Sequence, residues 1–256
     1  MTEIKEQSPH PGPSFGGTPV GGSHAGSASY LERRAWIGDY FDRTASAAWK
    51  TLTSDAPVSR IRASVRAGRD ETRQTLLSWL PQDMRGMRVL DAGCGTGMLA
   101  IDMALRGAQV VAVDLSPTLV GYGAERAQEA GVGALIDFRS GDMLDPAFGS
   151  FDVAVAMDSL IHYDLPHIVS ALVTLRERAS DRILFTVAPF TPVLGTLLTL
   201  GRFFPQRDRS PRIVPAAERR VRRSIADEPR LGGWKVARSQ RVERGFYRSQ
   251  SYLIHA

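Results

Sequence analysis

The 256-residue chain has one cysteine, Cys94, and five histidines. A single cysteine excludes an intrachain disulfide and a Cys-based zinc cluster. A chain of this length needs neither, because it buries about 70–75% of the surface its unfolded form exposes. The first 29 residues lack an apolar run of signal-peptide length, which argues against secretion. Fifteen of those 29 are Gly, Pro or Ser, so the segment reads as a disordered tail. Residues 183–201 lack charge altogether, yet Pro189, Pro192 and two glycines interrupt them. A buried strand followed by an apolar helix over 192–204 is therefore expected there rather than a membrane span. No internal repeat is present.

What the chain has in excess is positive charge, +5 overall, and the excess is local. Residues 202–223 hold eight arginines against Asp208 and Glu218, which leaves the rest of the chain at −1. Only Phe203 and Phe204 offer stacking rings, at one edge of the stretch, so no nucleic-acid partner is expected. A solvated helix face, an anionic membrane surface and a docking partner remain as uses of the charge.

From Tyr30 the composition turns globular. Tyr30, Leu31, Trp36, Ile37, Tyr40 and Phe41 recur near helical spacing, and apolar positions continue that pattern to about Leu80, where Pro81 stops it. An alternation follows. Strands are predicted at 87–91, 109–113, 134–138, 151–157 and 182–188, with helices between them, one opened by Pro117 and one near 166–179. Two β-rich runs from Trp234 to Ile254, split by Gly245, predict a closing hairpin. Regular strand–helix alternation means a parallel sheet covered by helices.

The informative segment is Val89-Leu-Asp-Ala-Gly-Cys-Gly-Thr-Gly97. A strand ends in an acid, and glycines then turn the chain into a helix whose free N–H groups suit an anionic ligand end. Three further acids, Asp114, Asp142 and Asp158, end the next three predicted strands, where an open α/β sheet binds its ligands. Asp91 followed by Gly93-x-Gly95-x-Gly97 resembles the signature of class I S-adenosylmethionine-dependent methyltransferases. That resemblance implies a Rossmann-like fold: a seven-stranded, mostly parallel sheet with helices on both faces. It also implies that Asp114 with Leu115 takes the ribose hydroxyls, Asp142 with Met143 the adenine, and Asp158 a place beside the reacting centre. Cys94, inside the loop, is expected to pack rather than to act as a nucleophile. A cytosine C5 enzyme would need a nucleophilic cysteine elsewhere. An amino-methylating nucleic-acid enzyme would carry Asn/Asp-Pro-Pro-aromatic where this chain has Asp158-Ser-Leu-Ile-His-Tyr163.

Four segments sharpen the resemblance: Asp39-Tyr-Phe-Asp-Arg-Thr-Ala45; Arg60 to Asp70 with Thr75 to Leu80; Met157 to Tyr163; and Phe185 to Pro192 running into Gly201-Arg-Phe-Phe-Pro205. Over about 36–256 the chain resembles the magnesium-protoporphyrin IX O-methyltransferases of chlorophyll and bacteriochlorophyll biosynthesis. The resemblance implies methyl transfer from S-adenosylmethionine to one propionate of magnesium protoporphyrin IX, giving the 13-monomethyl ester and S-adenosylhomocysteine. No protein-bound metal is expected, since the porphyrin carries the magnesium. His162 is implied as the active-site residue that orients the propionate, with axial ligation of the substrate's magnesium as an alternative disfavoured by that ion's preference for oxygen. Tyr40, in an N-terminal arm that the family folds over the cosubstrate, is implied either to orient the propionate as well or to close the pocket. Arg66 and Arg69 are either solvated or in contact with a carboxylate.

The organisation expected is a tail over 1–29, an arm over 30–85 and a methyltransferase core over 86–256 with a lid insert over 190–228. The family also implies docking to the large porphyrin-binding subunit of magnesium chelatase, with a cytoplasmic location or a peripheral one on the photosynthetic membrane. Another small-molecule O-methyltransferase, of a quinone or lipid, is the competing reading.

Overall fold

The computed structural model describes residues 28–54, 57–190 and 213–256. The helix expected over 192–204 and the arginines from Arg202 to Arg212 lie outside these residues, as does the expected tail apart from Ala28 and Ser29. The arm opens with α1 (Ala28–Asp39), a π-helical turn (Tyr40–Ala45) and α2 (Ser46–Leu52). Then α3 (Arg60–Ser78) starts where the Ser59 hydroxyl accepts the Arg62 N–H, an N-cap bond, and stops just before Pro81.

The core alternates β1 (Arg88–Ala92), α4 (Met98–Leu105), β2 (Gln109–Asp114), α5 (Pro117–Glu129), β3 (Ile136–Ser140), β4 (Phe151–Ala156), α6 (Leu165–Arg176) and β5 (Ala179–Val187). After the undescribed stretch come α7 (Glu218–Ala226) and the hairpin β6 (Lys235–Arg244) and β7 (Tyr247–His255). The strand order is β3-β2-β1-β4-β5-β7-β6, with β1 to β5 parallel and β7 antiparallel to both neighbours. This is the expected seven-stranded, mostly parallel sheet. The order reverses between β1 and β4, which opens a crevice at their carboxyl ends.

Two apolar layers sandwich the sheet. One joins Leu90, Val111, Ala154 and Phe185 to α6, α7 and α1, and the other joins Val89, Val110, Val155 and Leu184 to α3, α4 and α5. Alternate residues of one strand serve opposite layers, so buried parallel strands read as nearly continuous apolar runs. Phe185 shows what this burial contributes. It is fully buried and stacks on Tyr252 with ring centroids 5.1 Å apart. Phe185→Ala is expected to cost about 3–5 kcal/mol of stability, read as a shift of the urea midpoint.

Two strand starts differ from the expected ones by two or three residues. The strand β3 starts at Ile136 rather than 134, because Gly133–Leu135 form a 3-10 turn. The strand β5 starts at Ala179, which pairs with Phe151 across a register shift. Where the basic stretch runs into α7, Val221 and Ile225, four residues apart, bury one face of the helix and turn its arginines outward.

Candidate active site

At the crevice the chain leaves β1 through Asp91 into the glycine loop. The Gly93 and Cys94 amides both donate to the Val113 carbonyl, at 2.8 and 2.9 Å, which stitches the loop to β2. Gly93 has φ +86°, and a Cβ there would lie 2.3 Å from Ser159 Cβ, so the loop crosses the β4–α6 turn where only glycine fits. Gly95 has φ +53°, and a Cβ there would meet nothing within 4 Å. Space is thus left against exposed loop backbone, as close approach of a ligand requires. The Cys94 thiol is pushed well up by burial, so it stays protonated and packs, as expected of it.

The loop forms one wall of a cavity of about 290 Å³. Asp91, Gly93, Gly95, Asp114 and Leu115 line it from β1 and β2, and Asp142, Met143, Asp158 and His162 from beyond β3 and β4. Nine of the eleven residues expected at the site therefore converge. Gly97 does not reach the wall, because it caps α4 and packs against the Phe138 ring. Tyr40 does not reach it either. The arm faces the cavity with Tyr30, Arg34, Ile37 and Phe41, spaced three or four apart, and Tyr40 sits one position off that stripe with its ring edge-on to Phe41 at 5.4 Å.

The acids differ in their environments. Asp91 is fully buried, and its Oδ2 has no hydrogen-bond partner among the described residues. Burial first, and the nearby Asp114 charge second, push its carboxyl up from 3.8 to about 7. Asp114 is also raised by burial, although its two oxygens accept the Gly95 and Ser116 amides at 2.9 Å each. Asp91 and Asp114 thus form a negative, donor-poor corner that suits a cationic group and paired hydroxyls.

Asp142 accepts from the Leu144 amide at 3.0 Å, the Tyr30 hydroxyl at 2.9 Å and Arg34 at 2.6 Å. Tyr30 also stacks on Tyr163, centroids 5.5 Å apart. Asp158, at the end of β4, accepts from Arg69 at 2.6 Å and from Tyr247 at 3.1 Å to each oxygen. His162 sits in the turn Leu160–His162, is 7% exposed, and its ring lies 5.7 Å from that of Phe41. Sequence reasoning gave no site role to Tyr30, Arg34, Trp49 or Tyr247. Tyr30 alone carried a signal, as the first residue of the apolar stripe. Among the described residues no cluster of His, Cys, Asp and Glu could hold a metal ion.

Comparison with known proteins places this geometry. The family model for the magnesium-protoporphyrin IX methyltransferase C-terminus matches residues 156–255, and a general methyltransferase-domain model matches 89–179. A magnesium-protoporphyrin O-methyltransferase of Rhodobacter capsulatus is 45% identical over 224 residues, 87% of this chain and 96% of the relative. A protein of the same description from Synechocystis is 30% identical over 86% of this chain and 95% of its own. The crystal structure of a Synechocystis magnesium protoporphyrin IX methyltransferase with bound S-adenosylhomocysteine superposes with a TM-score of 0.75 at 28% identity. It covers 86% of this chain and 98% of that one.

Proposed function

The chain belongs to the magnesium-protoporphyrin O-methyltransferase family, and we propose that its strand-end acids hold the methyl donor while His162 places the acceptor. It is an S-adenosylmethionine-dependent enzyme that methylates magnesium protoporphyrin IX. The methyl group enters at a propionate carboxylate, giving the 13-monomethyl ester. The competing quinone or lipid reading has no such support over the length of the chain. The observation that carries the reading is the 45% identity over 96% of the Rhodobacter relative. Incubation with magnesium protoporphyrin and S-adenosylmethionine, followed by mass spectrometry, should show the gain of a single methyl group. The metal-free porphyrin is the control, and no gain would overturn the reading.

The chemistry asks little of a base. A propionate ionises near the Glu value of about 4.3, so at neutral pH it is already the nucleophile. S-Adenosylmethionine supplies an electrophilic methyl on a sulfonium, which is a good leaving group. The protein's task is placement, and holding reactants in line is worth roughly 7–11 kcal/mol. The buried, unpartnered Oδ2 of Asp91 suits the ammonium of the cosubstrate, and the free lone pairs of Asp114 suit its ribose hydroxyls.

The Asp91 reading has a pH signature. Below about pH 7 Asp91 is protonated when no ligand is bound, and the ammonium needs it ionised. Affinity for S-adenosylhomocysteine should therefore fall as pH drops through 7, approaching about tenfold per unit below it. Stability runs the other way: a raised carboxyl stabilises the fold fully below 3.8, and that contribution is lost as pH rises to about 7. Calorimetry between pH 5.5 and 8 checks both signs, and a flat binding profile would remove Asp91 from ammonium recognition.

The basic surface is assigned to delivery of the poorly soluble porphyrin. On α7, Arg222 is tied to Glu218 and Ser239, and Arg223 to Asp227, while Arg219 and Arg220 are exposed. Docking to the large porphyrin-binding subunit of magnesium chelatase would use this face. Peripheral contact with the photosynthetic membrane is the competing use. Among the described residues no helix is long and apolar enough to cross a membrane. Salt-sensitive co-sedimentation, with that subunit or with anionic vesicles, separates the two.

A further inference from the structure

Four arginines line the cavity: Arg34, Arg66, Arg69 and Arg73. Three serve the protein. Arg34 bonds Asp142 far round the crevice, Arg66 donates to the Thr51 and Leu52 carbonyls and ties α3 to α2, and Arg73 pairs with Asp70 and Asp102. Arg69 is different. It reaches from the middle of α3 to the end of β4, beside the turn that carries His162. Its Nη1 donates to Asp158 at 2.6 Å, and its guanidinium carbon lies 4.3 Å from the centroid of the Trp49 ring.

The Asp158 partnership does not exhaust Arg69. A guanidinium has five N–H donors, and Asp158 takes one. The Asp158 carboxylate is shared among Arg69, the Tyr247 hydroxyl at 3.1 Å to each oxygen and the Thr186 hydroxyl at 3.2 Å. Trp49 covers a face of the guanidinium and leaves its donor edge open, a contact worth more where water is excluded. The side chain is 21% exposed and that of Asp158 7%, so the group is held in partly dry surroundings. Asp158 is also the one described non-glycine residue at positive φ, +54°. Such a conformation persists only where the surroundings over-determine it. Here the surroundings are Arg69, Tyr247 and Thr186, whose side chains all bond the Asp158 carboxylate.

We propose that Arg69, held by Asp158 and Trp49, is a carboxylate-binding residue of this site. Two carboxylates enter the reaction, the amino-acid end of the cosubstrate and the propionate of the acceptor. The open guanidinium edge suits either, because a fork of parallel N–H groups matches a carboxylate bidentately. The inference rests on the methyl-transfer reading for its ligands, but its first test does not need the acceptor.

The test uses the full chain and the variants Arg69→Gln, Arg69→Lys and Asp158→Asn. Calorimetry compares S-adenosylhomocysteine, which has the carboxylate, with 5′-methylthioadenosine, which lacks the amino-acid end. If Arg69 holds the cosubstrate, Arg69→Gln weakens S-adenosylhomocysteine by about tenfold or more and leaves methylthioadenosine unchanged. If it holds the propionate, both affinities stand and the KM for magnesium protoporphyrin rises by a similar factor. In either case Arg69→Lys keeps the charge without the fork and recovers only part of the loss. Asp158→Asn, which loosens the anchor, moves the same constant by less.

The proposal is overturned if Arg69→Gln changes neither constant, or if it weakens both nucleosides equally with a lowered Tm, which is the mark of a purely structural residue. Failure of the parent enzyme to methylate the porphyrin would instead count against the substrate reading. It would leave the comparison of the two nucleosides intact.

Discussion

His162→Ala is expected to lower kcat by about 10²-fold or more while leaving the affinity for S-adenosylhomocysteine within about twofold. The acceptor carboxylate is already ionised, so the loss is one of placement rather than of proton transfer. The backbone of His162 is set by the short turn Leu160–His162, and its carbonyl accepts Arg33 Nη1 from the arm at 3.0 Å. The ring is confined by Phe41. A side chain restrained on that many sides can hold a carboxylate oxygen in line, and alanine removes the donor without disturbing the acids across the cavity. The variant loses a buried ring and should also lose stability, so assays belong well below its measured Tm. His162→Gln, which keeps an N–H donor, should retain more activity than the alanine variant. Turnover equal to the parent at saturating porphyrin would exclude His162 from the reaction.

Asp114→Ala is expected to act on the other half of the reaction. A hydrogen bond to a charged acceptor contributes about 1.5–3 kcal/mol, so losing two ribose contacts should weaken S-adenosylhomocysteine by about 10²-fold or more. A second effect adds to this. Asp114 accepts the Gly95 amide at 2.9 Å, and without it the loop loses one of the bonds that fix its cradle. A third effect separates electrostatics from shape. The Asp114 charge helps to raise the Asp91 carboxyl, so the variant should shift the pH dependence of binding toward lower pH. Calorimetry at several pH values reads all three. An affinity within about threefold of the parent at neutral pH would refute ribose recognition by Asp114.

Of the two halves, the donor side was far more legible in the sequence. Asp91, Asp114, Asp142 and Asp158 each end a predicted strand, and a parallel sheet brings consecutive strand ends to one edge whatever the details of packing. His162 was legible from the segment Met157 to Tyr163 that carries the family resemblance, together with its place four residues past Asp158. The contribution of the arm was not. The Tyr30 hydroxyl meets Asp142 across 112 residues, and Arg69 and Tyr247 each meet Asp158 across 89. An amphipathic stripe announces that a helix will be buried, but not against what. Tyr40, chosen from its segment, proved to be one step round the helix from the residues that face the cavity, because the stripe runs through Tyr30, Arg34, Ile37 and Phe41.

The sequence by itself determined the sheet, the order of its acids and the glycine loop, because these depend on periodicities of two and of three to four and on turns closed within a few residues. Only the tertiary structure decided which arm residues reach the cavity, and which acids stay open to a ligand. Those outcomes depend on how α1, α3 and β7 dock. Docking leaves Asp91 Oδ2 bare and Asp114 with lone pairs to spare, yet closes most of Asp158 with Arg69, Tyr247 and Thr186. Four acids that look equivalent along the chain thus divide by environment into those that suit the cosubstrate and one that holds an arginine in place.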